Sequence, residues 1–135
     1  MKQLRITFTL TLFFVPAFVA SAFTETTPRR VIIDTDPGTD DAMAIILALN
    51  SPELRVEALT VVPGNVDGRQ GLENALRIVS LAGRCDVTIA GGAQHPLNQK
   101  LITAQFWHGK NGLADVELPP SKCKADPRFA PDLII

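Results

Sequence analysis

Val31-Ile32-Ile33 runs without interruption into Asp34-Thr35-Asp36-Pro37-Gly38-Thr39-Asp40-Asp41, which places four carboxylates within eight residues. A continuous β-branched apolar run bounded by turn formers predicts a strand buried on both faces, the habit of parallel sheets. Pro37-Gly38 ends that strand. Thr39 can cap the next element, with Asp40 and Asp41 in its first turn, where negative charge suits the helix dipole. Ala42 to Leu49 are good helix formers, apolar nearly all round, so this helix is expected to be well buried before Asn50-Ser51-Pro52 stops it.

The alternation continues. Val56 to Val62 reads as a second strand despite Glu57 and Thr60, and it ends in Pro63-Gly64 followed by Asn65. Gly71 to Ala82 predicts a second helix, with Leu72, Ala75, Leu76, Val79 and Leu81 mostly on one stripe and Gly83 closing it. Val87 to Ala90 is a third short strand ended by Gly91-Gly92. The expected fold class is therefore α/β, an open, mainly parallel sheet of right-handed βαβ units. From Ala93 to Pro131 the periodicity dissolves, and so long an irregular stretch in a compact domain points to functional loops. Ala130 to Ile135 then begins a new apolar element that has no cap, turn or polar tail, so the fold reads as truncated.

Upstream, basic Lys2 and Arg5 precede the apolar run Ile6 to Phe18, and Ala20-Ser21-Ala22 offers small residues to a signal peptidase. The run is short, contains threonine and carries Pro16, which suits a membrane span poorly. The expected organisation is a signal peptide over 1–22, a linker over 23–30 and a domain over 31–135, exported to a periplasm or secreted. Without the signal, eleven basic residues face fourteen acidic ones, a net charge of −3. That balance argues against nucleic acid and against stable membrane association after cleavage, since both want a basic patch. Cys85 and Cys123 fit no metal motif, and their spacing leaves open two thiols or one disulfide.

The aspartate cluster sits where a buried strand turns into a helix, and α/β sheets bind ligands at the carboxyl ends of their strands. Singly, each aspartate has an ordinary structural reading: Asp34 capping a loop, Asp40 and Asp41 favouring a helix N-terminus. Together they concentrate charge that needs compensation. A hard divalent cation with oxygen ligands supplies it, and the lack of nearby His or Cys argues against zinc.

Asp34-Thr35-Asp36-Pro37-Gly38-Thr39-Asp40-Asp41-Ala42 closely resembles the N-terminal signature of the inosine–uridine-preferring nucleoside hydrolases. Val61-Val62-Pro63-Gly64-Asn65-Val66 resembles the family's second-strand segment, Asn74-Ala75-Leu76 its following helix and Ile89-Ala90-Gly91-Gly92-Ala93 its third strand and turn. His108-Gly109-Lys110-Asn111-Gly112-Leu113 resembles its His-Gly loop, with Asn111 where the family more often shows aspartate. The resemblance runs from Val31 to Ile135.

It implies hydrolysis of the N-ribosidic bond of a small-molecule nucleoside, giving ribose and a free base, as in purine or pyrimidine salvage. Asp36 would be calcium (Ca²⁺) ligand and general base, and Asp41 a second calcium ligand. Asp40 would bind a ribose hydroxyl. Asn65 would orient water and carboxylates as a catalytic and substrate-binding residue, and Asp34 would support the cluster from beneath. His108 would lie near the nucleobase. Loss of the base leaves positive character on the sugar, as in glycoside hydrolysis, and a net-negative cluster stabilises it.

Family members are more than twice as long, and their remainder supplies a further aspartate ligand, a main-chain carbonyl, ribose-binding Asn and Glu residues and a histidine near the leaving base. The chain is therefore expected to be the N-terminal portion of a hydrolase and not to turn over alone. Base preference and homo-oligomer formation stay open. One alternative is an exported, non-catalytic calcium- or nucleoside-binding remnant. Another is a haloacid-dehalogenase-like phosphatase with Asp34 as nucleophile and Asp36 as acid, although Gly38 stands where that pattern wants Thr or Val. His95, beside Pro96, reads as a turn residue, and Phe106 and Trp107 as core.

Overall fold

The computed structural model describes residues 27–135; the expected signal peptide and the first part of the expected linker lie outside the described residues. Strands β1 (Arg29–Thr35), β2 (Leu54–Val61) and β3 (Thr88–Gly91) form one parallel sheet in that order. Helix α1 (Thr39–Asn50) returns the chain from β1 to β2, and α2 (Gly68–Leu81) returns it from β2 to β3. Two short helices follow, α3 (Gln105–His108) and α4 (Ala130–Ile134). This is the α/β, βαβ architecture that the alternating pattern predicts.

The apolar residues of β2 explain its central place: Val56, Ala58, Leu59 and Val61 are all buried, covered on both faces. Glu57 is accommodated by a register shift. Val31 lies opposite Val56 and Ile32 opposite Ala58, so Glu57 is an extra residue on β2, and its carboxylate turns to the rim to meet Arg30 and Arg55 at 2.9 Å each. Thr60, fully buried, satisfies its hydroxyl by donating to Asp34 across the strands at 2.6 Å.

Three local expectations are corrected. Among the described residues strand β1 is not buried on both faces: it pairs with β2 on one side, and Ile32 is 45% exposed. Helix α1 is apolar nearly all round but buries one stripe. Ile45 and Leu49 enter the core, whereas Met43 and Leu47 are 65% and 74% exposed, because only one side of the helix meets β2 and α2. Helix boundaries shift as well. Gly38, not Thr39, is the N-cap of α1, and α2 starts at Gly68 because Asp67 accepts the Arg69 and Gln70 N–H groups at 3.0 Å. At its far end Arg84 N–H reaches the Val79 carbonyl and Gly83 N–H that of Ser80, which closes the last turn.

The core is the seam between the sheet and the two long helices, with Ile45, Leu59, Val61, Ala75, Ile78, Val79 and Ile89 nearly inaccessible. The stretch after β3 has little regular structure, yet hydrogen bonds tie it to the sheet and to α2. Asp126 N–H donates to the Ile89 carbonyl, the Ser121 hydroxyl to the Leu76 carbonyl and Arg77 to the Leu118 carbonyl. Cys85 and Cys123 form a disulfide that ties this stretch to the turn after α2.

Candidate active site

Strands β1 and β2 end side by side: Thr35 pairs with Val61, and Val62 N–H donates to the Thr35 carbonyl at 3.0 Å. Two turns leave this carboxyl edge together, Asp36-Pro37-Gly38 into α1 and Pro63-Gly64-Asn65 toward α2. Asn65 joins them. Its backbone N–H donates to Asp36 Oδ2 at 3.0 Å, and its side-chain Nδ2 donates to the Asp36 carbonyl at 2.9 Å and to Asp41 Oδ2 at 3.0 Å. Asp41 also accepts the Thr35 hydroxyl at 2.7 Å and the Gly38 N–H at 3.1 Å, so it closes the first turn of α1 as well as facing Asn65.

Such closeness demands glycine at two positions. A Cβ on Gly64 would stand 2.0 Å from Asp36 Oδ2, and one on Gly38 would stand 2.5 Å from Asn65 Nδ2. Any side chain at either position would push a functional group aside.

His108 closes α3 and approaches from the other side. Its Nδ1 accepts the Thr39 N–H at 3.3 Å and lies 3.7 Å from Asp40 Oδ1. The two contacts are alternatives: Nδ1 accepts from Thr39 when it carries no proton and can donate to Asp40 only when it does. Asp40 itself is 76% exposed and points its carboxylate to the open side. Asp36, Asp41 and Asn65 thus share one network, with Asp40 and His108 at its rim. Asp34 stands apart, on β1, engaged by Thr60. Reading the sequence by its carboxylates overlooks Thr35, which holds Asp41, and Asn74. The signal for Asn74 is a polar residue set within the apolar stripe of α2, where a buried amide must find partners.

Among the described residues no Lys or Arg pairs with Asp36 or Asp41; hydrogen bonds alone meet their charge. Two carboxylates bound through one amide are hard oxygen donors of the kind calcium or magnesium takes. No group of three acidic, His or Cys side chains among the described residues makes a full metal site. The residues therefore fit a hard cation as part of its shell.

The family model of the inosine-uridine preferring nucleoside hydrolases matches residues 31–135. The chain is 47% identical over 106 residues to the pyrimidine-specific ribonucleoside hydrolase RihA of Photobacterium profundum, covering 78% of this chain and 34% of the relative. It is 45% identical to uridine nucleosidase 1 of Arabidopsis thaliana, covering 78% and 32%. Among solved structures, a plant nucleoside hydrolase, PpNRh1, superposes with a TM-score of 0.75 at 45% identity, over 80% of this chain and 35% of that one. A purine-preferring ribonucleoside hydrolase from Gardnerella vaginalis gives 0.73 at 39% identity, over 78% and 35%.

The chain belongs to the inosine–uridine-preferring nucleoside hydrolase family.

It spans about a third of the length of the relatives it matches. With the family assigned, the phosphatase reading of Asp34 and Asp36 falls. Asn111 organises the His108 loop. Its Oδ1 accepts the Leu113 and Asp115 N–H groups at 2.8 and 3.0 Å, and its Nδ2 donates to the Val116 carbonyl at 3.0 Å, a bond no carboxylate could make. Phe106 and Trp107 are not core. They pack edge to face at 5.1 Å on α3, and both remain largely exposed, since this short helix lies outside the sheet–helix seam. His95 lies in an exposed turn as expected.

Proposed function

We propose that this chain carries the carboxylate half of a nucleoside hydrolase site, acting in hydrolysis of the N-ribosidic bond of ribonucleosides. The observation that carries the reading is the Asn65 bridge, which holds Asp36 and Asp41 together at the carboxyl ends of two adjacent parallel strands. Relatives of this family are named for acting on ribonucleosides, pyrimidine in one case and purine in another.

In this reading Asp36 and Asp41 hold calcium, with further oxygens coming from parts of the relatives that this third of their length does not match. When bound there, calcium would supply Lewis-acid activation of water. Asp36 takes the proton of the attacking water. Its Oδ2 is held by the Asn65 N–H, while its Oδ1 accepts nothing among the described residues and is open to that proton. Asp41 is set by Thr35, Gly38 and Asn65 and cannot swing away. Asp40, at the open side, accepts a ribose hydroxyl, and His108 beside it faces the base. Asp34 supports the cluster indirectly, by fixing the end of β1 to β2 through Thr60. The net negative charge favours the sugar as positive character develops on it.

Export to a periplasm or the medium accompanies this reading. The Cys85–Cys123 disulfide supports it, since such bonds persist in oxidising compartments.

The test is calcium binding by calorimetry, together with release of reducing sugar from uridine and inosine. The 135-residue chain is expected to bind calcium weakly and to release no sugar. A protein continuing through the length of its relatives is expected to hydrolyse nucleosides and to lose that activity on chelation and in Asp36→Ala. Undiminished activity in Asp36→Ala would remove Asp36 from the role of base. Calcium binding without hydrolysis in the longer protein would favour the binding-remnant reading.

A further inference from the structure

Asn74 lies on α2, outside the carboxylate network, and is 1% exposed. Both hydrogens of its amide are used, and each goes to a different segment. Nδ2 donates to the Pro37 carbonyl at 3.2 Å, in the turn that carries Asp36, and to the Asn111 carbonyl at 2.8 Å, in the loop that carries His108. Its Oδ1 accepts from Gln70 Nε2, one helical turn back, at 2.9 Å, which fixes which end of the amide faces the two carbonyls. The other polar links between turn and loop are longer: Thr39 N–H to His108 at 3.3 Å and the Thr39 hydroxyl to the Gly112 carbonyl at 3.4 Å.

We propose that Asn74 is a positioning residue: its buried amide clamps the His108 loop to the carboxylate turn and so sets where His108 stands relative to Asp36, Asp40 and Asp41. The inference rests on the reading above that turn and loop form one site. The physical ground is that a buried donor shared by two carbonyls is costly to lose, since neither carbonyl can turn to bulk water without moving its segment. Leu113, packed in the core, anchors the far end of the loop and leaves the His108 end to be held by polar contacts. A helix residue is a rigid base for this purpose, because α2 is itself packed on β2 and β3.

The experiment is nuclear magnetic resonance on the full 135-residue chain with its disulfide intact, comparing wild type, Asn74→Leu and Gln70→Ala. Asn74→Leu keeps the volume and removes the donors. Gln70→Ala, at a half-buried position, removes only the bond that orients the amide. In Asn74→Leu the amides of Gly112 and Ala114 are expected to exchange about ten- to a hundredfold faster, and the His108 Nδ1 resonance should move toward its free-solution position, while β2 amides keep their protection. Unchanged loop exchange and an unmoved His108 resonance would overturn the proposal. If Asn74→Leu loses β2 protection as well, Gln70→Ala decides: faster loop exchange over an intact β2 supports the clamp, and an unchanged loop refutes it. Titrating wild type with calcium and following the Asp36 and Asp41 amides tests the metal reading separately, so either idea can fail without the other.

Discussion

Gly64 lies so near Asp36 that a methyl group there would occupy the carboxylate's own place, 2.0 Å from Oδ2. Gly64→Ala should therefore displace Asp36 and weaken calcium binding at least about tenfold, the usual scale for disturbing the surroundings of a ligand. Calorimetry with circular dichroism checks this: unchanged affinity in a folded variant would mean that Asp36 is not a ligand. A second residue-scale effect concerns Asp126. Hydrogen bonds from the Arg128 side chain and then from its backbone N–H hold the Asp126 carboxyl down at about 2. Because the folded value lies below the unfolded one near 4, the contact stabilises the fold above that value, and its contribution vanishes as pH falls toward about 2. In Arg128→Ala the Asp126 titration should move up toward the ordinary carboxylate range, read by carbon chemical shifts against pH. A midpoint still at about 2 would assign the effect to another partner.

At the scale of elements, α1 separates composition from environment. Ile45 and Leu47 are both apolar and two positions apart, yet the first is 1% and the second 74% exposed. Ile45→Ala should cost about 2–5 kcal/mol, whereas Leu47→Lys should stay within about 0.5 kcal/mol, both measured by urea unfolding of this chain. Equal costs would mean that the outer face of α1 is covered in solution. Strand order explains the same kind of mismatch in β1. Its residues have the unbroken apolar character of an interior parallel strand, but among the described residues it pairs on one side and Ile32 is half open. In contrast, the existence and type of β1, α1, β2, α2 and β3 were all legible from the alternation of apolar runs and breakers. The α2 boundary was not, because Asp67 extends the helix through a cap whose effect depends on backbone geometry.

Across the whole molecule, the disulfide is the longest-range covalent constraint, joining cysteines separated by 38 residues. Closing a loop of that length restricts the unfolded chain by about 4 kcal/mol in the chain-entropy account. Reduction, or Cys85→Ser with Cys123→Ser, should lower the unfolding midpoint accordingly, and an unmoved midpoint would mean that the reduced chain is already held together by other contacts. The spacing of the two cysteines left both thiols and a disulfide open, and the path of the irregular stretch along α2 brings them together.

What the sequence determined by itself was local or motif-borne: the βαβ order, the family signature, and the concentration of Asp36, Asp40 and Asp41 at a strand-to-helix turn. Hydrophobic periodicity and turn chemistry act between near neighbours, so they can be read in one dimension. The tertiary structure alone decided which atoms Asn65 uses to bridge the two carboxylates, that Asp34 turns to Thr60, that Phe106 and Trp107 stay outside, and that Asn74 reaches two loops at once. These are contacts between residues far apart in the chain, made when strand pairing and helix packing bring separate turns to one edge of the sheet.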